Sequence, residues 1–188
     1  MDASPPLIFL SHASVDEEIA RSLKSHLEAS FPSVLVFVSS DPEDLPPGDQ
    51  WTEKVLEALK KASLVLVLAT QRGLARKWVW FESGHAWHSG VKLIPCCVGK
   101  VRKNGLPPPF SLLQSINIDE TAGLITLFKA IENGLVSSSK TPDIRAIVEE
   151  LVRLDVRCEE RQLVNENPDA VELRSDVERI MKSLDPGS

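Results

Sequence analysis

Trp78 and Glu82 stand four residues apart in the run Trp-Val-Trp-Phe-Glu. If that run is helical, an indole and a carboxylate share one face. Such a pair suits a ligand made of a flat ring and a sugar. The indole packs on the ring, and the carboxylate accepts hydrogen bonds from ribose hydroxyls. Its negative charge also stabilises the positive charge that develops on an anomeric carbon as an N-glycosidic bond breaks. Spacing alone carries little weight, because a tryptophan and a glutamate on a surface helix are usually a packing residue and a solvated charge. Trp80, Phe81 and Trp87 lie on the same segment and read as core.

Other chemistries fit less well. Glu82, His85 and His88 recur every three residues, but one Glu-x-x-His on one helix supplies at most half of a carboxylate-bridged metal site. His12 and His26 stand in no such context, so no metal is expected. No Gly-x-Gly-x-x-Gly and no phosphate loop follows any strand-like run, which argues against a dinucleotide-dependent dehydrogenase and an NTPase. A formal net charge of -6 argues against nucleic acid as a partner. The basic cluster Lys100, Arg102 and Lys103 lies beside Asn104 and Gly105 and reads as a solvated loop.

The elements that must position these residues follow from the apolar pattern. Five short runs, Leu7 to Leu10, Val34 to Val38, Leu64 to Ala69, Val91 to Val98 and Ile116 to Ile118, start 25 to 30 residues apart. That is close to the roughly 30 residues of a strand–helix–strand unit. The runs are nearly continuous in Val, Ile and Leu, as in parallel strands covered on both faces. Between them, Ile19, Leu23 and Leu27 recur on one face of a helix from about 15 to 29, with Ser14 and Glu17 spaced as a capping box. Further helices are expected from Trp51 to Lys61, Trp78 to His88 and Ala122 to Leu135. The acid- and proline-rich Asp41 to Asp49 must be an exposed loop.

This alternation predicts an α/β fold with a five-stranded, parallel, doubly wound (flavodoxin-like) sheet in the order 2-1-3-4-5. Its crevice opens at the carboxyl ends of strands one and three. There Ser11, His12, Ala13 and Ser14 come beside the helix that carries Trp78 and Glu82. Residues 1–136 form this domain, and 137–188 read as a linker and a helical extension. In the extension, Ile144, Ile147, Leu151, Leu154 and Cys158 form one 3,4-spaced run, and Ala170, Leu173, Val177, Ile180 and Leu184 form a second. Asn165 to Pro168 separates them as in an αα-hairpin.

Across these segments the chain resembles the Toll/interleukin-receptor (TIR) domain family. Residues 8–20 (IFLSHASVDEEIA) look like its first strand and helix, Asp41 to Trp51 sit where its BB loop lies, and Trp78 to Glu82 match the Trp-x-x-x-Glu pattern of members that hydrolyse or cyclise NAD. The resemblance covers roughly residues 5 to 136. It implies that Glu82 is the catalytic carboxylate and that Trp78 lies by the nicotinamide end of the substrate. It also implies that Ser11, His12, Ala13 and Ser14 border the nucleotide, and that the loop from Ser39 to Gly48, with Asp41 and Leu45, contacts or gates it. NAD is then substrate and no cofactor is expected.

Implied partners are NAD, further TIR copies and a separate effector protein reached through a cyclic or modified ADP-ribose signal in bacterial anti-phage defence. The chain departs from the family pattern at Arg76 and Lys77, where a serine often precedes the tryptophan. A TIR scaffold acting through TIR–TIR association is the rival, although many such adaptors lack the glutamate. A nucleoside deoxyribosyltransferase shares the sheet architecture and fits the opening segment and the proline-rich loop less well. No apolar run approaches the roughly 20 residues that span a bilayer, so no membrane is expected as a partner. The first ten residues lack the basic region of a signal peptide. Three cysteines form no disulfide framework, and a cytoplasmic address follows as the expectation.

Overall fold

The computed structural model describes residues 5–39, 51–136 and 139–166. Strands β1 (Leu7–Ser11), β2 (Leu35–Val38), β3 (Leu64–Ala69), β4 (Lys92–Cys97) and β5 (Ile116–Asn117) form one sheet. Every neighbouring pair is parallel, and the order is β2-β1-β3-β4-β5. Helices α1 (Glu17–Ser30), α2 (Trp51–Lys61), α3 (Gln71–Leu74), α4 (Lys77–His88), α5 (Thr121–Leu135) and α6 (Ile144–Glu166) complete the described elements. The doubly wound architecture read from the spacing of the apolar runs is thus the one observed. The loop carrying Asp41 and Leu45, and the second apolar run of the extension from Ala170 to Leu184, lie outside the described residues.

Alternation along the strands divides the interior into two cores. Ile8, Leu10, Leu64, Leu66 and Leu68 pack with α1 and α5, whereas Phe9, Val65, Val67 and Ala69 pack with α2 and α4. Helix α6 belongs to the first of these cores. Its Ile147, Leu151, Leu154 and Cys158 are buried in the same cluster as Leu23, Leu27 and Leu127. Each such aliphatic side chain contributes about 1.5–3 kcal/mol on burial. Polar contacts fix the register of α6 on α1: Glu150 accepts hydrogen bonds from Ser22 Oγ at 2.7 Å and from His26 Nε2 at 2.9 Å.

Two local expectations need correction. Helix α1 does not start with the Ser14–Glu17 capping box. A 3-10 turn spans Ser14–Asp16, the helix begins at Glu17, and neither N-cap residue, Ala13 or Asp16, makes a side-chain capping bond. Glu17 is engaged with Arg21 at 2.9 Å, and Asp16 with Thr70 and Arg72. Helix α4 is also inverted relative to its composition. It buries Val79, Glu82, Ser83 and Ala86, while Phe81 and Trp87 are 47% and 48% exposed. Trp80 is half-buried, its indole N–H donating to the Leu74 carbonyl at 2.8 Å and its ring against Phe110.

Candidate active site

Ser11 is the last residue of β1 and pairs in register with Val67 of β3. Strand alternation puts its side chain on the face shared by Phe9, and therefore under α4. Glu82 comes down from α4 to meet it. The Ser11 hydroxyl donates to Glu82 Oε2 at 2.5 Å, and the Trp78 indole N–H donates to Glu82 Oε1 at 2.7 Å. The four-residue spacing on α4 therefore brings indole and carboxylate together as expected, with the indole edge as the donor. The Trp78 ring also stacks on Phe81, with centroids 5.0 Å apart.

Glu82 is fully buried. Burial raises its pKa to about 7, and the bonds from Ser11 and Trp78 pull in the opposite direction without overcoming it. Both the protonated and the ionised form of this carboxyl group are therefore accessible near neutral pH, and changes in its surroundings decide its charge. Perturbation of this kind, at the carboxyl end of β1 and beside β3, marks a candidate site on physical grounds.

The other residues expected here are distributed differently. His12 is buried, its Nδ1 lying 3.3 Å from the Leu10 carbonyl oxygen, and desolvation lowers its pKa although that backbone bond opposes the shift. A neutral imidazole results. Ala13 is buried and Ser14 is exposed. Of the four, Ser11 is the one whose bond to Glu82 is seen. Among the described residues no group of three or more His, Cys, Asp or Glu side chains is arranged to hold a metal ion.

Sequence reasoning missed the framework behind this pair. Thr70 follows β3 and caps α3, its Oγ1 accepting from Gly73 N–H at 2.8 Å and donating to Asp16 at 2.5 Å. Arg72 then donates from Nε to Asp16 at 2.6 Å and from Nη2 to Asp155 of α6 at 2.5 Å. All four side chains are buried. The one signal available in sequence was an arginine beside an apolar strand end, which carries no partner information.

The chain belongs to the TIR domain family, whose model matches residues 8–128. No curated protein shows a significant match. Among solved structures, the 2-desoxiribosyltransferase from Leishmania mexicana is similar at 13% identity and a TM-score of 0.40, over 53% of this chain and 69% of that one. Among the described residues no helix is long and apolar enough to cross a membrane.

Proposed function

We propose that this TIR domain cleaves the nicotinamide–ribose bond of NAD, with Glu82 as the catalytic carboxylate. The observation that carries the reading is the setting of Glu82: a buried carboxylate at the carboxyl end of β1, held from two sides by Ser11 and Trp78, with its pKa raised to about 7. Nicotinamide is a cation in NAD and leaves as a neutral base, so the step needs no strong acid. What it needs is negative charge near the anomeric carbon as positive charge builds there, and a desolvated carboxylate supplies this most effectively.

In this reading Trp78 swings aside to admit the ribose, and sugar hydroxyls replace the indole and Ser11 as donors to Glu82. His12, Ala13 and Ser14, with Asp41 and Leu45 of the BB loop, border the nucleotide. Attack by water gives ADP-ribose, nicotinamide and a proton. Attack by a nitrogen of the adenine gives a cyclic ADP-ribose with the same leaving group. We place the reaction in the bacterial cytoplasm, in anti-phage defence, with self-association through the BB loop completing the site and the product passing to a separate effector protein. The complete burial of Glu82 favours a second reading, in which the domain is a non-catalytic scaffold and the carboxylate is structural.

Incubation of concentrated protein with NAD, followed by liquid chromatography with mass detection, separates the two. The parent is expected to release nicotinamide, and Glu82→Gln is expected to lose at least about a hundredfold of that rate. Near-parental turnover in Glu82→Gln removes the assignment, and no turnover in either protein leaves the scaffold.

A further inference from the structure

We propose that Asp155 of α6 is a positioning residue for the Glu82 site, so that a helix lying beyond the matched family segment is part of the functional unit. This inference concerns the geometry on which the NAD-cleaving reading rests.

The argument starts from one guanidinium. Arg72 bonds to Asp16 on one side and to Asp155 on the other, and all three groups are buried. Asp16 closes the segment after β1, its N–H donating to the Ala13 carbonyl at 2.8 Å. Ser11 stands at the start of that same segment. Arg72 itself belongs to α3, and α3 sets where α4 begins. Its Leu74 N–H donates to the Thr70 carbonyl at 3.0 Å, and its Leu74 carbonyl receives the Trp80 indole of α4. The two chain segments that carry Ser11 and Glu82 are therefore anchored at one charged group, and Asp155 is the anchor's third corner.

A second observation supports the fit of Asp155. Gly99, just after β4, has φ +70°, and a Cβ there would overlap the Asp155 carboxylate. The absence of a side chain at Gly99 gives that carboxylate its seat. Buried ion groups of this kind bring little net stability, but the second carboxylate fixes the guanidinium from its other side, and removing it frees Arg72 to move. Without Asp155, Arg72 is held by Asp16 alone and its guanidinium shifts, Asp16 and the segment back to Ser11 shift with it, and the 2.5 Å bond from Ser11 to Glu82 lengthens.

The test is the titration of Glu82 in the full chain, followed by NMR of 13C-labelled carboxyl groups in the parent, Asp155→Asn and Gly99→Ala. Asparagine keeps the shape and removes the charge, whereas Gly99→Ala keeps the charge and displaces it. Loss of the Ser11 bond moves the Glu82 midpoint upward by about one pH unit, a tenfold change in its ionisation constant. The expected result is such a rise in whichever variant folds. If the parent turns over NAD, kcat/KM at pH 7, which reports the free enzyme, falls about fivefold in the variants and recovers in alkali. An unmoved midpoint in a folded variant overturns the proposal. A parent that does not cleave NAD while the midpoint moves refutes the enzymatic reading and leaves the positioning role standing.

Discussion

Replacing Glu82 by glutamine should stabilise the protein at neutral and alkaline pH. The folded-state pKa of about 7 lies above the ordinary carboxyl value of 4.5. Between these two pH values the folded chain therefore holds more protons than the unfolded chain, and stability falls as pH rises through the window. Above the upper value the whole cost is present, about 3 kcal/mol for a shift of this size. Glutamine carries no charge to desolvate. Its oxygen accepts the Trp78 indole N–H, and its amide donates to the Ser11 hydroxyl, so both bonds survive with one reversed.

Urea unfolding of the parent and Glu82→Gln, at matched pH values from about 4.5 to 8.5, reads the difference directly, and other titrating groups cancel between the two proteins. The variant is expected to equal the parent at the acidic end and to exceed it by about 3 kcal/mol at the alkaline end, on the order of 6–12 °C in Tm for a chain of this length. A stability difference that does not change with pH, or a parent that becomes the more stable protein in alkali, would refute the reasoning.

Three further outcomes are expected. If NAD cleavage needs ionised Glu82, kcat/KM rises with pH through a midpoint near 7, and a profile flat from pH 5 to 8 contradicts the role. Replacing Leu45 to Pro47 should weaken activity through assembly: specific activity rises with protein concentration in the parent and much less in the variant, as turnover assays over a dilution series would reveal. Gly123→Ala should destabilise the fold by about 2 kcal/mol or more in thermal or urea melts. The helix preference for alanine is worth only about 1 kcal/mol, and the new methyl would overlap the Asn117 carbonyl oxygen, a backbone atom that cannot step aside.

The sheet was legible because its signal is local and repeated. Each strand is an apolar run, buried throughout in β3 and exposed mainly at the edge strand β2, and the interval between runs leaves room for one crossover helix. The pairing of Trp78 with Glu82 was legible for the same reason, since helical spacing needs only the two residues. The approach of Ser11 followed from the strand order. What could not be read was of longer range or ran against composition. Thr70, Arg72 and Asp155 find their partners 54 to 83 positions away, and each looks in sequence like an ordinary surface residue. Helix α3 spans four residues, too few to show a period. The Ser14–Glu17 spacing promised a cap, but Asp16 is drawn to Arg72 and Thr70 and the first turn tightens. On α4 the small residues and the glutamate face the sheet while Phe81 and Trp87 face out, so ranking side chains by hydrophobicity picks the wrong side of the helix.

Three of the four tryptophans, Trp78, Trp80 and Trp87, lie on α4, and the chain contains no tyrosine. Ultraviolet emission of the unlabelled protein is therefore dominated by the one helix that carries Glu82. The Trp78 indole is bonded to that carboxylate, so its excited state senses directly whether the group is charged. A spectral shift on titration or on addition of a nucleotide would report the state of that carboxyl group in real time, with no dye and no engineered label.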